Sequence, residues 1–169
     1  MRVETERLVV DPLQASDKED YFTNISHDKT VLETFVCRYA ETLDDFDFAP
    51  YLTRDDIFAI RHKTTGKLIG IFVECEKDEA NHSLEIGYGI GRAYWNQGYM
   101  TEAVNAALQY YFDKTDYRTV YASFFPENVA SKRVMEKCGM TFSHVCEKEF
   151  TYLGRERDLI YYKITVSQT

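Results

Sequence analysis

The sequence predicts an α/β layer architecture, a mixed sheet with helices inserted between its strands. Three observations lead there. Short apolar runs with a period of two recur along the chain, as at Leu84, Ile86, Tyr88 and Ile90. Between two such runs, Met100, Ala103, Val104, Ala107, Leu108 and Tyr111 fall at i, i+3, i+4, i+7, i+8 and i+11, the stripe of a helix facing a core. Turn residues punctuate the runs at Thr65-Gly66, Pro126, Gly139 and Leu153-Gly154.

Taken in order, Arg7-Leu8-Val9-Val10-Asp11, closed by Pro12, reads as a first strand. Charged and apolar residues at helical spacing follow from about Ser16 to Phe35, with Ser16 and Glu19 placed as a capping box. Tyr39 to Asp55 has no clean period and reads as loop or short helix. Ile57-Phe58-Ala59-Ile60 and Leu68-Ile69-Gly70-Ile71-Phe72-Val73 flank Thr65-Gly66 as a hairpin. The polar turn Lys77 to His82 leads into the strand that ends at Ile90. After the striped helix comes a strand from Thr119 to Phe125, stopped by Pro126. A second helix puts Ala130, Val134 and Cys138 on one side and ends at Gly139, a left-handed cap. Two last strands run from about Phe142 to Tyr152 and from Arg157 to Val166. The chain has no internal repeat, low-complexity tract or linker, and one domain over residues 1–169 is expected.

Composition narrows the function. With 44% hydrophobic and 28% charged residues, the 169-residue chain has the balance of a folded domain rather than a disordered one. No apolar run reaches membrane-spanning length, and MRVETERLVV carries charge where a signal peptide needs an apolar stretch; a cytoplasmic protein is expected, with no membrane partner. Cys37, Cys75, Cys138 and Cys146 are scattered, and His27, His62, His82 and His144 share no ligand spacing. Free thiols and no metal are expected. A formal charge of -8 argues against a nucleic-acid partner and suits a cationic substrate such as an amine. Asp44-Asp45-Phe46-Asp47 reads either as solvated loop or as the wall of an amine pocket.

The chemistry concentrates between Leu84 and Val104. A strand ending at Ile90 passes through Gly91-Arg92-Ala93-Tyr94 and Trp95-Asn96-Gln97-Gly98-Tyr99-Met100-Thr101 into the striped helix. The first turn of a helix leaves N–H groups without intrahelical partners, and the helix dipole favours an anion there. Gly98 permits close backbone approach, and Thr101 adds a hydroxyl. A pyrophosphate cradle and a tight entry into a packed helix both fit these local facts.

The whole string decides between them. Glu85-Ile86-Gly87-Tyr88, Tyr94-Trp95-Asn96-Gln97-Gly98-Tyr99-Met100-Thr101-Glu102-Ala103, the opening Thr5-Glu6-Arg7-Leu8 and the helix Asn128-Val129-Ala130-Ser131 through Gly139-Met140 together resemble the GNAT superfamily of N-acetyltransferases, specifically the branch of the ribosomal-protein alanine acetyltransferases. The resemblance covers essentially the whole chain. It implies a mostly antiparallel central sheet, flanked by helices on both faces and splayed at the fourth and fifth strands. It implies acetyl-CoA as cosubstrate, no metal, and acetyl transfer to a primary amine, a protein N-terminus or a small molecule, by direct attack in a ternary complex. A non-catalytic acyl-CoA-binding or sensor domain of the same fold is the alternative. Monomer and homodimer are both compatible with it.

Residue by residue, the resemblance assigns the diphosphate to the backbone of Trp95, Asn96, Gln97, Gly98, Tyr99, Met100 and Thr101, and the pantetheine arm to main-chain groups of Gly89 and Ile90. Gly87 and Gly89 clear one face of that strand, as close approach of another chain requires. Asn128 is an N-cap, a cofactor contact, or both. Glu85 is the candidate general base, acting through a water; a solvated carboxylate and a simple amine-binding charge are its other readings. The family's acid, a tyrosine on the second helix, corresponds here to Met135. Ser131, one turn after Asn128, either takes over or completes the helix's first turn. Trp95 and Met100 depart from the family's usual loop, Met100 by its bulk.

Overall fold

The apolar runs become strands β1 (Val3–Glu4), β2 (Leu8–Pro12), β3 (Ile57–His62), β4 (Leu68–Asp78), β5 (Ser83–Ile90), β6 (Thr119–Phe124), β7 (Thr141–Tyr152) and β8 (Arg155–Thr165). The structure is a computed structural model and describes residues 1–167. The strands form a mixed sheet in the order β1-β2-β3-β4-β5-β6-β8-β7, flanked by helices. The pairs β1–β2, β2–β3, β3–β4, β6–β8 and β7–β8 are antiparallel, whereas β5–β6 is parallel. That parallel pairing extends from Ser83↔Thr119 only to Ile86↔Ala122, although β5 continues to Ile90 and β6 to Phe124. The sheet is therefore splayed there. With the short β1 counted, these are the fifth and sixth strands, one later than the sequence numbering expects.

Two compact units divide the chain, one of Met1–Val73 with Tyr88–Ala106, the other of Glu74–Gly87 with the chain from Ala107 onward. In the first, β3 and the start of β4 are buried on both faces, as a covered sheet requires. Tyr21, Ile25, Val31, Phe46, Phe48, Leu68 and Ile71 form its core. Arg61 on β3 binds the buried carboxylates of Asp11 and Asp17, with Nε 2.7 Å from Asp11 Oδ1. A buried charge is tolerable only when paired in this way.

The segment predicted as one helix from Ser16 to Phe35 is instead broken. A 3-10 turn (Ala15–Asp17) runs into α1 (Lys18–Tyr21) and a π-turn (Phe22–Ser26); after a break, α2 covers Lys29–Leu32. The break follows from Asp28, whose side chain accepts the Thr30 N–H at 2.9 Å and starts a new helix. The expected Ser16–Glu19 box is also corrected: Asp17 accepts the Gln14 N–H at 2.7 Å. The aperiodic stretch contains one turn of helix, α3 (Ala49–Leu52).

The striped helix is α4 (Tyr99–Lys114), and all six stripe residues are buried. In the second unit, α5 (Val129–Lys137) ends before Gly139, whose φ of 80° is the left-handed cap expected from sequence. Its buried residues differ from the prediction. Met135 and Cys138 face inward, whereas Ala130 is exposed and Val134 half-buried. The bulkier Met135 takes the core position.

Candidate active site

The first group of site residues lies in the first unit. After Ile90, a 3-10 turn (Arg92–Tyr94) delivers the chain to Trp95, and α4 starts four residues later. Asn96 (φ 58°) and Gly98 (φ 80°) are both left-handed. Gly adopts that region freely, and Asn does so more readily than most residues. Left-handed residues in such a run turn successive N–H groups toward one concavity, a backbone nest for anions. Among the described residues, no protein acceptor takes the amide hydrogens of Asn96, Gln97, Gly98, Tyr99 or Met100. The Trp95 N–H is different, because it donates to the Arg92 carbonyl at 3.2 Å.

Arg7, which the sequence reading passed over, holds this loop. Its Nε lies 2.7 Å from Glu102 Oε2, its Nη1 donates to the Gln97 carbonyl at 3.0 Å, and its guanidinium stacks 4.3 Å from the Tyr99 ring centroid. Glu102 also accepts the Arg7 N–H at 2.9 Å and the Thr5 hydroxyl. Burial alone would raise the Glu102 pKa; the donors from Thr5 and Arg7 outweigh it and lower it. The only sequence signal for this clamp was the Thr5-Glu6-Arg7-Leu8 string, where nothing local pairs Arg7 with a residue so distant in the chain.

Side chains of the loop behave unequally. Met100 is 7% exposed, so its bulk fills the core and only its backbone belongs to the loop surface. Trp95 is exposed and donates its Nε1 to the Ile90 carbonyl at 2.9 Å, which leaves that oxygen one further lone pair. A Cβ on Gly89 would come within 2.9 Å of the Phe35 ring, and one on Gly87 within 3.0 Å of Cys75 Sγ. The space those glycines open is thus shared with Phe35 and Cys75.

The second group lies in the second unit. Glu85 on β5 points away from buried Leu84 and Ile86, and its Oε1 accepts from the Ser123 hydroxyl at 2.9 Å. Burial raises its pKa, Ser123 opposes the rise, and Glu76 and Glu149 add to it by charge repulsion. At the start of α5, the Asn128 side chain accepts the Ser131 N–H at 3.1 Å, an N-cap in fact. Ser131 is half-buried beside it. Asp44, Asp45 and Asp47 are exposed, and with Lys18, Phe46 and Leu52 they line an open depression of about 450 Å³ in the first unit.

The family described as Acetyltransferase (GNAT) domain matches residues 7–141, and the chain belongs to it. It is 34% identical over 97 residues to the uncharacterized N-acetyltransferase YnaD of Bacillus subtilis. That match covers 57% of this chain and 51% of YnaD, so the chain spans about half the length of that relative. Among solved structures, the GNAT-family acetyltransferase from Bacillus anthracis superposes with a TM-score of 0.85 at 28% identity, covering 98% of each chain. The spermidine N-acetyltransferase from Vibrio cholerae, solved with CoA and spermine, shares the fold with a TM-score of 0.79 at 19% identity, covering 95% of this chain and 96% of that one.

Proposed function

We propose that this protein binds acetyl-CoA and transfers its acetyl group to a primary amine by direct attack in a ternary complex. The reading rests above all on the amide nitrogens from Asn96 to Met100, uncommitted within the protein and set around two left-handed residues. Such a donor set fits a diphosphate: it offers several N–H groups at a helix N-terminus, where the dipole favours an anion. A Cβ at Gly98 would lie 3.5 Å from Arg7 Nη2, so the glycine leaves room beside a guanidinium.

Acetyl-CoA, when bound, supplies the activated acetyl thioester. The chain's own residues do the rest. The nitrogens of the 95–101 loop orient the diphosphate, with Thr101 as a further donor, and main-chain groups of Gly89 and Ile90 align the pantetheine arm. Asn128 touches the cofactor in addition to capping α5. Glu85 accepts the ammonium proton through a water, a role suited to a carboxylate whose pKa burial has raised. Ser131 supplies the proton to the departing sulfur. Most of the rate comes from holding amine and thioester together. Negative charge at Glu76, Glu85 and Glu149 favours a cationic acceptor. The ribosomal-protein-like sequence branch favours a protein N-terminal amine. Residues 1–169 are read as one catalytic domain, since the family match runs unbroken through segments of both units.

A second reading, an acyl-CoA sensor without turnover, draws on Met135: fully buried and unable to donate, it stands where the family has a phenol. Titration with CoA, followed by assay of free-thiol release from acetyl-CoA with a panel of peptide N-termini and small amines, separates the two. Amine-dependent thiol release supports the transferase. Binding without release above background supports the sensor, and failure to bind CoA refutes both.

A further inference from the structure

Gly89 on β5 is buried under an aromatic ring of its own unit. A Cβ at this position would stand 2.9 Å from Phe35 Cγ, 3.1 Å from Cδ2 and 3.2 Å from Cδ1. Nearly equal distances to the two Cδ atoms put the glycine over the face of the ring rather than its edge. Cγ is the atom through which the ring is attached, so turning the ring about χ2 gives no relief. Glycine weakens a strand interior and is found there where something must come close. Here a flat ring does.

The ring is held from behind. Phe35 donates its N–H to the Val31 carbonyl at 3.0 Å, which fixes the turn after α2 to a buried core residue. The Asp28 side chain caps α2 through Oδ1 and pairs through Oδ2 with Arg92 Nε at 3.3 Å. Asn24 donates to the Leu68 carbonyl at 2.8 Å, and its Oδ1 stands 2.7 Å from where a Cβ of Gly91 would be. Phe35, Asn24 and Asp28 therefore meet Gly89, Gly91 and Arg92, three contacts along one short stretch of backbone. On its inner side Phe35 packs against the core of Tyr21, Ile25 and Val31, yet it stays half-buried. The rest of its apolar surface is left for a further occupant.

We infer that Phe35 is a specificity-determining residue: its ring bounds the acyl group of the thioester on the Gly89 face, so that acetyl fits and longer acyl chains do not. The inference rests on the reading that main-chain groups of Gly89 and Ile90 align the pantetheine arm. That arm ends in the thioester, and an acyl group carried toward the Gly89 face meets a wall whose position the backbone fixes. An apolar wall sorts its occupants by size, and one methylene is worth roughly ten- to two-hundredfold. Butyryl carries two methylenes more than acetyl.

The test reads binding, with no amine present and no turnover. Calorimetric titration should show the unmodified protein favouring acetyl-CoA over butyryl-CoA by at least about tenfold. Phe35→Ala should bring the two affinities within about threefold, and Phe35→Leu, which keeps more of the core contact, should fall between. Thermal unfolding reads the packing separately. Gly89→Ala should lower the melting temperature by about 3–10 °C, and by less than about half as much when introduced into Phe35→Ala. Additive unfolding effects overturn the wall. So does an acetyl preference that is absent from the unmodified protein or survives in both Phe35 variants, and in each of these cases the cofactor reading stands. Failure of the unmodified protein to bind CoA refutes that reading and this inference with it, so the two failures are distinguishable.

Discussion

Arg7→Ala isolates what holds the 95–101 loop in shape. The substitution removes the pair between Nε and Glu102 at 2.7 Å, the bond to the Gln97 carbonyl at 3.0 Å, and the stacking over Tyr99 at 4.3 Å. The Arg7 side chain is 38% exposed, so solvent screens the ion pair, and about 1 kcal/mol is expected from it rather than the value of a buried charged bond. Stacking adds about 0.5 kcal/mol, and the Gln97 carbonyl finds water at little net loss. Glu102 is not orphaned, because the Arg7 N–H and the Thr5 hydroxyl remain. A stability loss of about 1.5 kcal/mol follows. The same contacts preorder the loop, so most of that loss reappears as CoA binding about three- to tenfold weaker. Denaturant unfolding and calorimetric titration with CoA measure the two quantities on one sample. Affinity within twofold of the unmodified protein, in a variant destabilised as expected, refutes the clamp. So does full rescue by Arg7→Lys, which would credit charge rather than the fork of contacts.

Three other outcomes are expected. Gly98→Ala should cost about 1 kcal/mol for its left-handed backbone, whereas Gly98→Pro, which forces φ to about −65°, should abolish CoA binding in a protein that still unfolds cooperatively. Met100→Ala should lose about 2–4 kcal/mol of stability in thermal unfolding but leave CoA affinity nearly unchanged, because its side chain is core and the proposed contact to the diphosphate is made by its backbone alone. For Glu85→Gln the sign follows from linkage. The raised pKa means the folded protein binds a proton more readily than the unfolded chain, so stability falls as pH rises from the ordinary carboxylate range through the folded value. The variant should therefore melt higher than the parent at neutral pH, with the gain vanishing below about pH 4, under the ordinary carboxylate value, where both states are protonated. A variant that melts lower at neutral pH refutes the desolvated carboxylate.

Part of the candidate site's local geometry was legible in the residue string because its determinants are local. Asn96 and Gly98 stand where left-handed backbone precedes a helix, and the apolar period of α4 marks where that helix begins. Asn128 announced a cap by its type and place. The helix from Ser16 to Phe35 misled for a physical reason: helical spacing of apolar residues persists across a break when each short piece packs on the same core, and Asp28 reads equally as a mid-helix residue or a new cap. Likewise Ala130 looked buried by spacing alone, but Met135 carries more apolar surface and wins the inward position.

What the sequence by itself determined was the run of strands from Leu8 onward, the stripe of α4, the Gly139 end of α5, and the position of the loop between Ile90 and α4, all set by residues within a turn or a strand of one another. The long-range pairings were decided only by the tertiary structure. Arg7 meets Glu102 and Gln97, Ser123 faces Tyr161 and Glu85, and Phe35 fills the face of Gly89, because strand register and packing bring together residues that no local period relates. Such contacts depend on which strands lie side by side, and side-chain periodicity within one strand carries no record of its neighbour.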